Sequence, residues 1–429
     1  MSDRWDREHV LGLAPDAASA KAGTGVAKPA KWSGLGCGAG AVWGECQGSG
    51  KSAYRAAADL GEPAFRCSCP SRKFPCKHVL GLLLLWSDGA AAAGEPPAWV
   101  AGWLAERAER AGRAQARKAV TAARARDPKT AAAREEQVAA GVADLDRWLA
   151  DQVAHGLAQA EKAPYRLWDD AARRLVDAKA GALAGQVRAL ASVPRRPGWP
   201  GLLLEEYALL RLLVRAHAAE GLSAPLRETV RARIGFTVVQ EDVLASGERV
   251  RDRWCVVGSR DLAQEQLTTR RVWLRSRSGR SALVLSFAAP GRPLDVSLAV
   301  GTEIDAELAF YPGARPLRAL VAERHGPAVA AVPDGTGVAA LLDEFAAAVA
   351  ADPWLDRWPA VLAGVRLARD GAGLWAVDAA GAAVPLRTGD PWRLLAVAGG
   401  DAVTVAGEWS GRRLRALAGW HPEEGVVIL

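Results

Sequence analysis

The chain has 429 residues, enough for two to four domains, because a single hydrophobic core rarely grows beyond about 250–300 residues. Half of its residues are apolar or aromatic, which excludes a chain that is disordered throughout. The net charge of +7 is unevenly spread: residues 1–134 hold 20 Lys and Arg against 12 Asp and Glu, whereas the rest of the chain is close to neutral.

The first residues give no signal for export or for membrane insertion. The start, MSDRWDREHV, is charged and lacks the apolar stretch of a secretory signal. The longest apolar block, Val79 to Trp86, is too short to span a bilayer. We therefore expect a cytoplasmic protein with no membrane contact, whose six cysteines bind metal or remain free thiols.

The stretch GECQGSGKS at residues 44–52 resembles a phosphate-binding loop only in part. That loop requires a glycine where Glu45 stands, and a carboxylate there would face the phosphates. We therefore predict a glycine turn that enters a β-hairpin rather than a nucleotide site. Cys37 and Cys46 lack two further ligands nearby and are predicted to be free thiols.

The segment FRCSCPSRKFPCKHVL at residues 65–80 places three cysteines and a histidine in the pattern C-x-C-x6-C-x-H. A hairpin with strands around residues 54–60 and 64–69 would present Cys67 and Cys69 on one face. Cys76 and His78 would lie on nearly opposite sides of a regular helix, so at least one of them must occupy the turn that enters it, as Pro75 favours. Three thiolates and one imidazole form a closed zinc set, and the sequence predicts one structural zinc ion.

Two other interpretations explain less of this pattern. A redox pair formed by Cys67 and Cys69 would leave Cys76 and His78 without a role. Chance clustering would bring together half of the cysteines of the chain and one histidine.

The pattern resembles the SWIM zinc finger, and CSCPSRKFPCKH is similar to its bacterial form. The similarity is densest over residues 32–86 and weaker at residues 13–19 and 174–184. The resemblance implies a ββα unit with a structural zinc ion held by Cys67, Cys69, Cys76 and His78, and a role in binding DNA or protein. Related bacterial genes accompany genes for AAA-type ATPases and von Willebrand A-type proteins, which implies an adaptor as the alternative role.

The loop between Pro70 and Pro75 carries Arg72, Lys73 and Phe74, two cations and a ring suited to phosphate and base contacts. A solvated loop tip is the alternative interpretation.

Residues 99–134 are helical in composition and basic. Arg107, Arg110, Arg113 and Arg117 recur every three or four residues and would form a stripe on one helix face. This stripe is either the solvated face of a linker helix or a second phosphate-binding surface.

Residues 135–224 are predicted to form an all-α domain. Val138, Val142, Leu145, Leu149, Val153 and Leu157 follow a helical apolar period. A second helix is predicted from Leu167 to Leu190, with small residues at Ala178, Ala182 and Gly185, and a third from Leu202 to Ala219.

The remaining chain reads as β-rich, in two units at residues 225–330 and 331–429. FTVVQEDVL, DRWCVVGS with Cys255, TRRVWLRS and SALVLSFA are predicted strands, and Val338 to Ala351 a helix between the units. Residues 298–320 and 395–417 share nine identical residues without gaps, which predicts a duplicated β-unit.

The sequence thus predicts a multidomain α+β protein with a zinc-finger domain at residues 1–98, a basic helical linker at 99–134, a helical middle domain and a β-rich C-terminal region. No catalytic constellation accompanies the scattered histidines, so we expect no enzyme activity and no small-molecule substrate. The expected function is a zinc-dependent interaction module for DNA, RNA or protein, and the alternative is an adaptor for an AAA-type ATPase without nucleic-acid contact.

Overall fold

The computed structural model describes residues 5, 7–14, 17–48, 52–60, 64–71, 73, 75–110, 127–263, 267–289, 294–371, 373–422 and 425–429. The chain divides into two compact units, one of residues 1–123 with 288–296 and one of residues 124–287 with 297–429. No helix among the described residues is long and apolar enough to cross a membrane.

The first unit combines one five-stranded sheet with helices. Its elements are α1 (Arg7–Gly12), α2 (Ala17–Val26), a 3-10 turn (Pro29–Lys31), β1 (Trp32–Gly38), β2 (Ala41–Cys46), β3 (Tyr54–Asp59), β4 (Ala64–Cys67), α3 (Lys77–Ser87), β5 (Ala92–Ala93) and α4 (residues 98–110). The strand order is β4-β3-β2-β1-β5, antiparallel except for β5, which pairs parallel to β1. The predicted hairpin is β3–β4, and the chain continues from β4 through the cysteine loop into α3.

Helix α3 is the core of this unit. Every residue from His78 to Trp86 is buried. The helix is apolar on all sides, and other elements cover each side. Helix α2 approaches it closely where both carry glycine: a Cβ built on Gly81 would lie 2.7 Å from Cγ2 of Val26, and one built on Gly23 would lie 2.7 Å from Cβ of Leu80.

Helix α4 covers the other face of the sheet. Its Val100 is fully buried against Ala41, Trp43 and Ala57. The strand residues that alternate with these, such as Val42, point to the opposite face of the sheet and pack with α3. The start of the predicted linker helix therefore packs on the sheet through an apolar face.

The second unit begins with a helical bundle. Its elements are α5 (Pro128–Ala154), a 3-10 turn (Leu157–Glu161), α6 (Arg166–Asp177), α7 (Gly181–Ala189), a 3-10 turn (Leu190–Arg195), α8 (Trp199–Ala218), α9 (Ala224–Ile234) and α10 (Gln240–Ser246). Its core contains four residues of the predicted α5 stripe, Val138 to Leu149, whereas Val153 is exposed.

Two predictions for this region are wrong. The single helix predicted from Leu167 to Leu190 is two helices, α6 and α7, because the chain turns at Lys179, whose φ of 63° is left-handed. The run FTVVQEDVL is not a strand, since α10 starts at Gln240 and buries Val243 beneath the first barrel described below.

The C-terminal region folds into two β-barrels. The first comprises β6 (Glu248–Ala263), β7 (Thr268–Ser276), β8 (Ser281–Ala288), β9 (Thr302–Phe310) and β10 (Arg318–Arg324), with β11 (Val329–Ala330) beside β9. After α11 (Val338–Ala351), the second comprises β12 (Trp358–Asp370), β13 (Gly373–Val377), β14 (Ala383–Arg387), α12 (Pro391–Ala398), β15 (Val403–Trp409) and β16 (Leu414–His421), with β17 (Gly425–Ile428) beside β16. The bounds of α11 are those predicted.

Both barrels close in the same strand order. In each, the third and fifth strands pair parallel (β8 with β10, β14 with β16) and the fourth pairs with both the fifth and the first. This is the five-stranded Greek-key order of the OB-fold. The register between the fourth and fifth strands is also the same in both barrels. Phe310 pairs with Ala319 in the first barrel and Gly407 with Ala416 in the second, and these positions are related by the predicted repeat. The two β-units thus share one topology, as the predicted duplication requires.

The two barrels pack on each other through a small apolar core. Cys255, Val257 and Trp273 of the first barrel contact Val361, Leu417 and Trp420 of the second, among others. Gly258 allows the close approach, because a Cβ there would lie 2.8 Å from Cδ1 of Leu417. Cys255 is therefore a buried strand residue, as predicted.

Candidate metal centre

The four predicted ligands come together in one cluster. The ligand atoms of Cys67, Cys69, Cys76 and His78 all lie within 4.8 Å of one another, and Sγ of Cys67 lies 3.8 Å from Nδ1 of His78. A tetrahedral zinc ion with Zn–S bonds of about 2.3 Å and Zn–N bonds of about 2.0 Å requires ligand separations of roughly 3.3–3.8 Å. The cluster has the donor set and nearly the spacing of a closed zinc site.

Local structure explains the unusual spacing of the ligands. Cys67 is the last residue of β4 and pairs with Ala56 of β3. Cys76 is the N-cap of α3, with the extended backbone of φ −76° and ψ 167°, while His78 lies in the first helical turn. The prediction that one of these two ligands occupies the entry turn is confirmed, and the extended backbone of Cys76 is what lets both side chains reach one point.

The imidazole is held by its surroundings. His78 is buried, and its ring stacks on that of Tyr54 with centroids 4.8 Å apart and an interplanar angle of 29°. Tyr54 is the first residue of β3, so the strand that supports Cys67 also orients the histidine.

The three thiols of the cluster differ in pKa. A hydrogen bond from Cys67 lowers the pKa of Cys76 to about 4, helped by hydrogen bonds from His78 and from the backbone N–H of Val79. The same hydrogen bond and burial raise the pKa of Cys67, and burial raises that of Cys69. One thiolate is thus already favoured at the start of α3, and a bound dication would displace the remaining thiol protons.

These residues fit zinc as a structural ion. Three sulfurs and one nitrogen fill a tetrahedron and leave no open position for water or substrate. When bound, the ion would join the β3–β4 hairpin to the first turn of α3 through Cys67, Cys69, Cys76 and His78.

Two other cysteines of this unit lie outside the cluster. Cys46 is buried in the core beside α3, and Sγ of Cys37 lies 3.6 Å from the carbonyl oxygen of Ala91. Both are free thiols, as predicted.

The glycine-rich stretch does not lead into the helix that a phosphate-binding loop requires. It joins β2 to β3, which pair antiparallel from Ala41 with Asp59 to Cys46 with Tyr54. The stretch therefore leads into the β3–β4 hairpin, as predicted, while residues 49–51 of the predicted glycine turn lie outside the described residues.

The structure describes only some of the predicted nucleic-acid contacts. Arg72, Phe74, Arg113 and Arg117 lie outside the described residues. Arg107 forms an ion pair of 3.2 Å with Asp59 and lies over the ring of Trp103, while Arg110 pairs with Glu106 at 3.4 Å. The described part of the arginine stripe is thus engaged with carboxylates of the first unit.

A groove beside the metal cluster was not predicted. It has a volume of about 890 Å³ and is lined by α2, by the end of β2, by Tyr54 and by the cysteine loop. Lys31, Lys73 and Lys77 line it, and no carboxylate is found among its described lining residues. Its sequence signal is the excess of lysine in the N-terminal third, but only the fold brings Lys31 next to the cysteine loop.

Comparison with known protein families gives two matches. Residues 66–86 match the SWIM zinc finger, and residues 133–234 match the SWIM-associated four-helix bundle domain. No curated protein and no solved structure matches the chain. The finger match contains all four ligands, and the bundle match covers α5 to α9, so the resemblance extends over two separate segments of the chain.

Proposed function

We propose that this chain, with its SWIM-like finger and bundle, is a non-catalytic interaction module whose finger binds nucleic-acid phosphates in the lysine groove beside the zinc site. The observation that carries the proposal is the groove itself, one concave surface of about 890 Å³ that three lysines line beside the metal ligands.

The zinc ion has a structural part in this proposal. Its four ligands link the strand pair to α3, and Lys73 and Lys77 lie in or next to the ligand loop. Metal binding therefore fixes the segment that carries two of the three lysines.

The groove suits phosphate recognition without sequence preference. Lysine offers a compact charge on a flexible stem, which holds a phosphate but does not read a base. Arg72 and Phe74 belong to the same loop and are proposed as additional contacts, as are Arg113 and Arg117 of the predicted arginine stripe. The free thiols Cys37, Cys46 and Cys255 fit a reducing compartment such as the cytoplasm.

The test is fluorescence anisotropy with labelled single- and double-stranded oligonucleotides. Changing Lys31 and Lys73 to Gln should weaken binding about tenfold near 0.15 M salt, because two phosphate contacts are lost. The log–log salt slope should fall by about 1.4 with the single strand and by about 1.8 with the duplex. The matched control changes Lys21 and Lys28, two lysines outside the groove, and zinc content is measured for every variant.

Binding by the groove variant equal to that of the control would reject the lysine groove as a nucleic-acid site. If the full chain also failed to bind either oligonucleotide, the adaptor function would take its place, with a protein such as an AAA-type ATPase as the partner. A pull-down with and without nuclease would identify such a partner directly.

A further inference from the structure

Two pairs of arginines face each other across neighbouring strands in the second unit. Arg260 of β6 is directly opposite Arg271 of β7, and Arg387 of β14 is directly opposite Arg415 of β16. Like charges in directly opposed positions destabilise a sheet. Both pairs lie where the two barrels meet.

A single buried carboxylate joins the two pairs. Glu408 of β15 lies 3.3 Å from Arg260 and 3.4 Å from Arg271, and it is the cross-strand neighbour of Arg415. Its side chain is fully buried. Among the described residues, neither Arg387 nor Arg415 forms an ion pair with a carboxylate.

The excess of positive charge contributes to a lowered pKa of one arginine. Burial lowers the pKa of Arg415, and the nearby cations Arg260, Arg387 and Arg357 lower it further, while Glu408 opposes them. Glu408 thus pairs with Arg260 and Arg271 and acts on Arg415, while Arg357 and Arg387 add further positive charge near Arg415. We call Arg260, Arg271, Arg357, Arg387 and Arg415 the arginine seam.

A pocket of about 260 Å³ continues the seam. Arg271, Trp273 and Arg357 line it. Arg315 and Arg318 add two further cations, whose guanidinium groups lie 5.3 Å from the ring centroid of Trp358 and 4.1 Å from that of Tyr311.

Some polar groups of the pocket have partners in the protein and others do not. The buried hydroxyl of Tyr311 has no hydrogen-bond partner within the described part of the chain. Three carboxylates also line the pocket, Glu228, Asp352 and Asp356, and Asp352 is held at 3.1 Å by Arg233. The arginines therefore outnumber the carboxylates even when that pair is removed.

We propose that the arginine seam binds the phosphates of single-stranded nucleic acid, with one nucleotide entering the adjoining pocket. The cations are spread over strands of two barrels, which suits a chain of phosphates better than one small anion. Arginine holds phosphate with two parallel hydrogen bonds, and the aromatic rings of the pocket suit an unstacked base. This inference rests on the proposed nucleic-acid function and assigns it a second contact surface, on the other unit.

The experiment uses the full chain and a labelled oligo-dT strand, a duplex, ATP and poly-glutamate as probes. The test variant is Arg357→Gln with Arg387→Gln, since neither side chain contacts Glu408 through an ion pair. The matched control is Arg166→Gln with Arg195→Gln in the helical bundle. The test variant should bind the single strand about tenfold more weakly near 0.15 M salt, with a salt slope lower by about 1.4, whereas the control should match wild type.

The outcomes separate this inference from the proposed function. If the lysine-groove variant loses affinity but the seam variant binds like its control, the seam proposal fails and the groove stands. If the seam variant alone loses affinity, the groove fails and the seam stands. Displacement of the strand by poly-glutamate or by ATP at equal charge concentration would also overturn the seam proposal, because the seam would then take acidic protein or a free nucleotide.

Discussion

The indole nitrogen of Trp273 donates a hydrogen bond of 3.0 Å to Oε1 of Glu408, which joins the first barrel to a carboxylate of the second. The same carboxylate forms ion pairs with Arg260 and Arg271 of the first barrel. Glu408 is therefore both the polar link between the barrels and the neutralising charge of the arginine seam.

Replacing Glu408 with Ala should destabilise the barrel pair by about 3 kcal/mol, near the lower end for breaking a buried ion pair because both arginines keep some solvent exposure. The measurement is the shift of the urea midpoint of the barrel transition, followed by tryptophan fluorescence. As a control, Glu205→Ala removes an exposed pair with Arg412 and should cost at most about 1 kcal/mol. Equal shifts for both variants would contradict the role assigned to Glu408.

Purified protein should contain one zinc ion per chain, and Cys76→Ser should lose it, because Cys76 is the ligand with the lowest thiol pKa and stands at the helix entry. Elemental analysis measures both. Cys37→Ser changes a thiol outside the cluster and should keep the metal. Full zinc content in Cys76→Ser would refute the ligand assignment.

Removal of zinc by a chelator should open the first unit and leave the second folded, because the two units have separate hydrophobic cores. Limited proteolysis should then cut within about residues 40–110 and leave a stable fragment that contains the bundle and both barrels. Degradation of the whole chain at one rate would show that the units do not unfold independently.

Gly81→Ala should destabilise the first unit by about 1–3 kcal/mol, because the new methyl group would meet Val26 at 2.7 Å where α2 crosses α3. Gly102→Ala in α4 is the matched control: its Cβ would meet nothing within 4 Å, and the change should stabilise the helix by up to about 1 kcal/mol. Thermal unfolding of the zinc-loaded protein compares them, and a neutral Gly81→Ala would show that the helices can separate without cost.

The bundle should lose stability in mild acid through His217. Burial lowers its pKa below the ordinary 6.5, and Arg231 lowers it further against the opposite effect of Glu135. The folded protein then binds fewer protons than the unfolded chain, so stability falls as the pH drops below about 6.5. His217→Gln should reduce this fall in melting temperature, whereas changing the exposed His155 should not. An unchanged pH profile in His217→Gln would remove His217 as the cause.

The metal site was largely readable from the sequence, since Cys67, Cys69, Cys76 and His78 are close in the chain and obey local geometry. Helix α11 was also predicted, because its apolar period is strong and Gly337 precedes it. The break between α6 and α7 was missed because Lys179 adopts a positive φ that glycine or asparagine usually signals.

The arginine seam was beyond sequence reasoning for a different reason. Arg260 and Arg415 are 155 positions apart and meet only because two closed barrels pack through particular strands. Strand order, which decides this meeting, depends on long-range pairing that local patterns do not encode. The chain after residue 134 has no net positive charge overall, so its composition does not indicate a local excess of arginine.

The apolar contact between the barrels limits how this protein can be divided for experiments. A fragment that stopped before α11 would keep all strands of the first barrel but would place Val257 and Trp273 in water. A fragment that began at α11 would expose Leu417 and Trp420 in the same way. Such bare surfaces promote self-association. Expression boundaries should therefore keep residues 248–429 together, and ligand-binding work on either barrel alone would report on an aggregating surface rather than on a native one.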